Sequence, residues 1–217
     1  MNKALLSIDI GYKNLGYTLF EMKNDASNES NEQNELDILI DLESNEQTTK
    51  TFNKLTDYTP HFGIFNITEH SHSSNVVESR CKAIDDFFEF IVKRYQLVRV
   101  VIEKQVPTNT IAMCLMYAIY TKALQYCDVD NIVVFDPKVK FTSINEEYNT
   151  KNKQHKRQSI KYANALIGKT FPTVLSDFTK HSKKDDIADS MNQLVIDMIH
   201  HNELDINFDE LRRLYDL

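Results

Sequence analysis

Residues 4–21 read Ala4-Leu-Leu-Ser-Ile-Asp-Ile-Gly-Tyr-Lys-Asn-Leu-Gly-Tyr-Thr-Leu-Phe-Glu21. The first seven form an apolar run that stops at Gly11, and Leu15 to Glu21 alternates enough to return beside it, so the stretch predicts a β-hairpin. Asp9 stands at the end of the first strand, one residue before the turn, where a carboxylate projects to the rim of a sheet. Rims are where α/β sites are built.

Working outward, Phe62-Gly-Ile-Phe-Asn-Ile-Thr68 reads as a third strand of the meander. Asn75 to Tyr95 sets Val76, Val77, Ile84, Phe87, Phe88, Ile91 and Val92 at helical spacing. Val98 to Glu103 is a strand buried on both faces, Pro107 ends that unit, and Asn109 or Thr110 can cap an apolar helix reaching to about Cys127. Asn131 to Asp136 is the next strand. A basic helix near 153–168, a last long helix from about Asp185 to His201 and a short one within 207–216 complete the chain. A meander followed by helix, strand, helix, strand and helices predicts an α/β fold: a mixed five-stranded sheet, antiparallel first and then parallel, flanked by helices. There is no internal repeat, and 217 residues fit one domain.

The net charge of -7 argues against a nucleic-acid partner until it is mapped. Between 23 and 49, eight acids (Asp25, Glu29, Glu32, Glu35, Asp37, Asp41, Glu43, Glu46) face Lys23 alone, so this segment carries the whole surplus. Its composition of Asn, Glu, Ser, Gln and Thr, with Leu36 to Leu42 as the one apolar island, predicts an exposed acidic insertion over about 23–50, with at most one edge strand. Conversely, residues 137–184 hold eleven Lys or Arg against three acids. Such a segment is either a solvated face or a surface for phosphates. Cys81, Cys114 and Cys127 lie far apart with no CxxC pair, which indicates neither a disulfide framework nor a zinc site and fits a reducing, intracellular compartment. No signal-peptide pattern and no apolar run near the roughly 20 residues of a membrane span are present, so no membrane partner is expected.

Three further carboxylates stand out. Glu103 closes a strand of Val and Ile, where an acid without a partner would be costly. Asp186 and Asp189 are three apart on a predicted helix, hence on one face about 5–6 Å apart, and repel each other unless a cation sits between them. Each acid alone has an ordinary explanation: a turn Asp, a salt-bridged strand end, a solvated first helical turn. Four hard oxygen ligands on one rim suit Mg²⁺, with Mn²⁺ as substitute, and two such ions can activate water and stabilise a leaving oxygen in phosphodiester hydrolysis. No Ser or Cys sits in a recognisable nucleophile elbow, and His61, His70, His72 and His155 lie in polar stretches. His181, beside Ser182-Lys183-Lys184, reads as a surface histidine before it reads as a proton shuttle.

The ordered combination of D-I-G-x-K-N-x-G at 9–16, I-E-K-Q at 102–105 and K-K-D-D-I-A-D-S at 183–190 resembles the RuvC-like Holliday junction resolvases of the RNase H-like superfamily, above all the poxvirus and mitochondrial types. The resemblance runs in order from Ala4 to about Met198, the acidic insertion excepted. It implies one RNase H-like nuclease domain over 1–217, with Asp9, Glu103, Asp186 and Asp189 as catalytic metal ligands and Asp185 as a neighbour. It implies two Mg²⁺ ions per site, branched DNA as substrate and a homodimer that nicks two strands symmetrically. A viral protein acting in an infected cell would fit. Lys13, Lys104, Lys138, Lys153, Lys156, Arg157, Lys183 and Lys184 are the expected DNA contacts. The helix from Thr110 to Leu124 takes the place of the family's interface helix, with Met113, Met116, Tyr117 and Tyr120 as interface candidates; from its pattern alone it is equally a core helix.

Competing functions follow from the same hairpin. Actin-like ATPases and sugar kinases open with it, but they need further glycine-rich phosphate loops, and only Gly11, Gly16, Gly63 and Gly168 exist here. A ribonuclease acting on RNA-DNA hybrids shares the metal chemistry. A non-catalytic nucleic-acid-binding module would gain nothing from four carboxylates held against a phosphate backbone.

Overall fold

The computed structural model describes residues 1–23, 54–68, 76–139 and 152–215. Apart from Lys23, the acidic insertion and its apolar island lie outside them. Strands β1 (Asn2–Ile10), β2 (Asn14–Met22), β3 (Tyr58–Asn66), β4 (Tyr95–Glu103) and β5 (Ile132–Phe135) form one sheet in the order β3-β2-β1-β4-β5. The first three pair antiparallel, whereas β4 runs parallel to β1 and β5 parallel to β4, as the sequence predicts.

β1 is central and covered on both faces, which is why its apolar run is nearly continuous. Ala4, Leu6, Ile8 and Ile10 face helices α1 (Val76–Val92) and α2 (Thr110–Ala123). Leu5 faces α3 (Asn152–Thr170), α4 (Leu175–Lys180), α5 (Lys184–His200) and α6 (Phe208–Leu214). The period of two puts Ser7 and Asp9 on this second side with Leu5. Ser7 is fully buried there and accepts a hydrogen bond from Gln193 Nε2 at 3.1 Å. Ser190 Oγ lies 2.9 Å from Thr18 Oγ1. Ser190, Gln193 and Asp197 therefore form the stripe by which α5 lies on the sheet.

Two boundaries differ from expectation for physical reasons. β3 starts at Tyr58 rather than Phe62. Pro60, which argues against a strand, is tolerated because β3 is an edge and the missing N–H faces away from β2. Beyond Asn66 its side chain accepts from the Thr68 N–H at 2.8 Å and turns the chain, so Thr68 is not in the strand. Tyr95, assigned to the helix, instead opens β4, paired opposite Asn2. The helix α4, which no apolar periodicity marks in the sequence, follows a 3₁₀ turn at Pro172–Val174 and is anchored by the fully buried Phe178. Asn109 caps α2, accepting from the Ala112 N–H at 3.2 Å.

At the far end of the sheet Arg99 Nε lies 3.0 Å from Asp197 Oδ2, both nearly fully buried, and Nη1 contacts Glu203. Burial pushes the Asp197 carboxyl above the usual range, opposed by the Arg99 charge. Arg99→Leu is expected to destabilise the chain by about 3–5 kcal/mol at neutral pH, because an uncompensated carboxylate remains inside. With its folded pKa raised further, that deficit should be small near pH 4 and grow as pH rises above the unfolded value of about 3.9. Urea unfolding of both proteins at the two pH values measures it.

Candidate active site

The carboxylates meet at the end of the sheet where β1 and β4 finish and β2 begins. Asp9 is buried and pairs across the hairpin with Gly16. The parallel register sets Ile8 beside Ile102, so one residue further Asp9 lies beside Glu103, and both point to the α5 face. Glu103 is half-buried, and its Oε2 accepts from Gln105 Nε2 at 2.9 Å.

The first turn of α5 descends onto this corner. A Cβ built on Gly16 would lie 2.6 Å from the carbonyl oxygen of Asp186 and 2.8 Å from its Cβ, so the helix sits directly on the glycine opposite Asp9. No side chain fits between them. That close approach is why position 16 has to be glycine, a role the D-I-G-x-K-N-x-G motif contains without revealing.

Asp189, one turn on, faces α3, and its Oδ1 accepts from Ser159 Oγ at 2.7 Å. Ser159 in turn accepts from Asn192 Nδ2 at 2.9 Å, and Asn192 Oδ1 accepts from the buried Tyr215 hydroxyl at 3.0 Å. This relay fixes the distance between α3 and α5 beneath the site.

Lys156 of α3 lies against the acids themselves. Its Nζ is 2.5 Å from Asp185 Oδ2 and 3.8 Å from Asp186 Oδ1. The Asp185 hydrogen bond and charge hold the ammonium above its ordinary range. Burial opposes ionisation of Asp185, yet the hydrogen bond and charge of Lys156, with a backbone hydrogen bond and the charge of Lys183, together outweigh it and keep that carboxyl low. Asp186 goes the other way: burial first, and then the negative charge of Asp185, push it up despite Lys156. Adjacent acids are thus driven apart by their surroundings, and Asp186 is the one whose nearby positive charge does not offset its burial.

Among the described residues no three His, Cys, Asp or Glu side chains stand close enough to form a metal cage as they lie. The backbone brings the four predicted positions to one rim, but the ammonium of Lys156 balances the acidic pair there. Like-charged carboxylates spread when no divalent ion draws them in. The donor set still fits a hard cation: oxygen ligands only, one of them held above its ordinary range by burial and a neighbouring acid.

The other expected DNA contacts divide. Lys13 is exposed in the β1–β2 turn, and Lys104 is exposed after Glu103 with Nζ 3.7 Å from Asp136. Lys138 and Arg157 are exposed, and Lys183 and Lys184 start α5. The side chain of Lys153 lies outside the described residues. His181 is not among the acids; its ring packs on Phe62 at 6.1 Å, in a cavity of about 580 Å³ along β3 that takes in none of the four carboxylates.

On α2 the four interface candidates separate, and one needs correcting. Met116 is buried in the chain's own core, its sulfur accepting from the Gln105 N–H at 3.4 Å, so it holds the β4 exit loop rather than facing outward. Met113 and Tyr120 are half-buried, and Tyr117 is 60% exposed. Cys81, Cys114 and Cys127 are free thiols, and among the described residues no helix is long and apolar enough to cross a membrane.

The profile of the family described as Poxvirus A22 protein matches residues 3–201. No curated protein sequence matches the chain. Among solved structures it is similar to a fowlpox virus resolvase in complex with its substrate Holliday junction DNA, at 17% identity over 90% of this chain and 96% of that one, with a TM-score of 0.53. It is also similar to the yeast mitochondrial Holliday junction resolvase, at 14% identity over 99% of this chain and 86% of that one, TM-score 0.58. RuvC of Thermus thermophilus is 8% identical over 92% of this chain and 95% of that one, TM-score 0.52. At these identities the likeness establishes the fold.

Proposed function

We propose that this chain, which belongs to the Poxvirus A22 protein family, is a metal-dependent endonuclease that resolves four-way (Holliday) DNA junctions. The observation that carries the reading is the contact of α5 on Gly16, which brings Asp186 over the strand end that holds Asp9. Packing explains the glycine, and the acids that the packing brings to one strand end are what give the corner its chemistry. On this reading the chain is one nuclease domain over 1–217.

Asp9, Glu103, Asp186 and Asp189 would hold two Mg²⁺ ions, which supply an activated water and stabilise the leaving 3′ oxygen when bound. The chain's own residues do the rest. Gly16 sets the depth of Asp186, Ser159 orients Asp189, Gln105 orients Glu103, and Lys156 balances Asp185 and Asp186 until the substrate and ions arrive. The exposed Lys13, Lys104, Arg157 and Lys183, with the half-buried Lys184, surround the rim and its approaches, where backbone phosphates would lie.

Because Asp186 is raised by burial and by Asp185, its ionised form weakens the metal-free fold above the ordinary carboxylate range. Asp186→Asn should therefore melt a few degrees higher than the parent at pH 7 without metal. Added Mg²⁺ should raise the parent and leave the variant where it was, since only the parent gains a bound ion. Differential scanning calorimetry with and without Mg²⁺ decides it; equal metal shifts would remove Asp186 from the ligand set.

Two nicks on one junction need two sites, so the reading includes a two-fold dimer built on α2, with Tyr117 at its centre and Met113 and Tyr120 beside it. Tyr117→Glu should give folded monomers by light scattering that still bind a junction and nick at most one strand. Tyr117 is 60% exposed and outside the core, so this variant separates interface from stability, whereas Met116→Glu would unfold the chain. The substrate class is tested by offering a four-way junction, an RNA-DNA hybrid and single strands with Mg²⁺ and with EDTA. Junction cutting that needs the metal supports the proposal; cutting of the hybrid alone would make the chain a ribonuclease.

A further inference from the structure

Tyr12, 57% exposed, stands in the β1–β2 turn three residues after Asp9. β3 delivers the chain to the same end of the sheet, Asn66 pairing opposite Asn14, so α1 starts there too. In its second turn Arg80 is 4% exposed, with its guanidinium carbon 4.2 Å from the centre of the Tyr12 ring. Nη1 has no hydrogen-bond partner among the described residues.

A charged donor that is desolvated and unpaired is costly, and the aromatic face replaces only part of what water gave it. An aliphatic side chain at position 80 would pack under Tyr12 without that penalty. The charge is therefore explained by something the free protein lacks. An anion at this place would meet a planar guanidinium, whose fork suits a phosphate better than an ammonium does.

We propose that Arg80 is a covered phosphate site: when a DNA strand crosses the rim, the Tyr12 ring moves off the guanidinium and Nη1 donates to a non-bridging oxygen of that strand. The inference rests on the junction-resolvase reading. The turn is closed by the Gly11 N–H donating to the Asn14 carbonyl at 2.9 Å, so the ring can rotate while the backbone that carries Asp9 stays in place. Ile8 and Ile10 face α1 and Asp9 faces α5, so the strand would be held by Arg80 on one side of the sheet edge and by the carboxylates on the other. The site orients the substrate; it takes no part in bond cleavage.

The test uses full-length protein carrying Asp9→Asn, to prevent cutting, and four-way junctions in which single phosphates around the branch are replaced one at a time by neutral methylphosphonates. In this parent one position should weaken binding by about five- to tenfold, and in Arg80→Gln the same replacement should have no further effect. The salt dependence of binding in Arg80→Gln should be flatter by about one unit of slope. Tyr12→Ala, which removes the cover, should keep the sensitive position and bind at least as tightly as the parent. If Arg80→Gln fails to fold, Arg80→Met takes its place, since its apolar stem packs under Tyr12 without a buried charge, and the same two losses are expected. An unchanged methylphosphonate profile in a folded Arg80 variant overturns the inference. So does a Tyr12→Ala protein weakened as much as Arg80→Gln, since the ring and not the guanidinium would then be the contact. A parent that binds no junction at all overturns the resolvase reading itself.

Discussion

Asp9→Asn, Glu103→Gln, Asp186→Asn and Asp189→Asn are each expected to slow single-turnover cleavage of a four-way junction by at least about a thousandfold, with junction affinity within a few-fold of the parent. Each removes one ligand charge from ions whose stabilisation of the reacting oxygens amounts to several kcal/mol, and about 4 kcal/mol is a factor of a thousand. Binding survives because phosphate contacts come from lysines and arginines elsewhere on the rim. Asp185→Asn should cost far less: its carboxylate is engaged by Lys156 and lies beside the ligand set rather than in it. Quench-flow rates with Mg²⁺ and gel-shift affinities of the five variants check both statements. A fast Asp189→Asn would remove that residue from the ligands, and a variant order with Asp185 below Asp186 would shift the assignment by one residue.

Gly16→Ala should be the most damaging single-methyl change in the protein. The new Cβ would meet the carbonyl carbon of Asp186 at 2.7 Å and its oxygen at 2.6 Å, and neither can rotate away because both belong to the first turn of a helix. α5 must lift at that end, while Thr18, Ser7 and Arg99 hold the rest of it on the sheet. Overpacking of this kind costs about 1–3 kcal/mol in stability. The larger effect is on rate: a shift of roughly 1 Å in Asp186 can cost about a hundredfold. Gly63→Ala makes a useful control. There the atoms nearest to the Cβ would be those of the Tyr17 side chain, its hydroxyl at 2.9 Å, and a side chain can move where backbone cannot, so cleavage should stay near normal.

What was legible in the sequence and what was not follow from the same physics. Period-two alternation and the Asp9 turn gave the hairpin, and the Val and Ile run ending at Glu103 gave the buried strand, because one-face and two-face burial leave different patterns along the chain. The positions of four acids at strand ends and on one helix face could be read before any coordinates. Their partners could not. Ser159 reaching Asp189, Tyr215 reaching Asn192 and Lys156 lying on Asp185 all join α3 or α6 to α5, and contacts between helices far apart in sequence leave no local trace. Lys156 in particular was expected among the DNA contacts, since nothing in a basic segment marks a lysine that lies against the acids. Met116 was expected at an interface for a similar reason. An apolar helix can be covered by its own sheet or by a partner, and only the burial of each position separates Met116 from Tyr117. Arg80 was invisible, because a helix with one arginine among acids and phenylalanines reads as an ordinary amphipathic surface.

The most direct test of the central claim is to map the cuts made on a four-way junction labelled on all four strands, in one binding event with excess enzyme and Mg²⁺. The account predicts two nicks at symmetry-related positions on opposing strands, both lost with EDTA and both lost in Asp186→Asn. Cuts confined to one strand, or cutting that persists without a divalent metal, would contradict it.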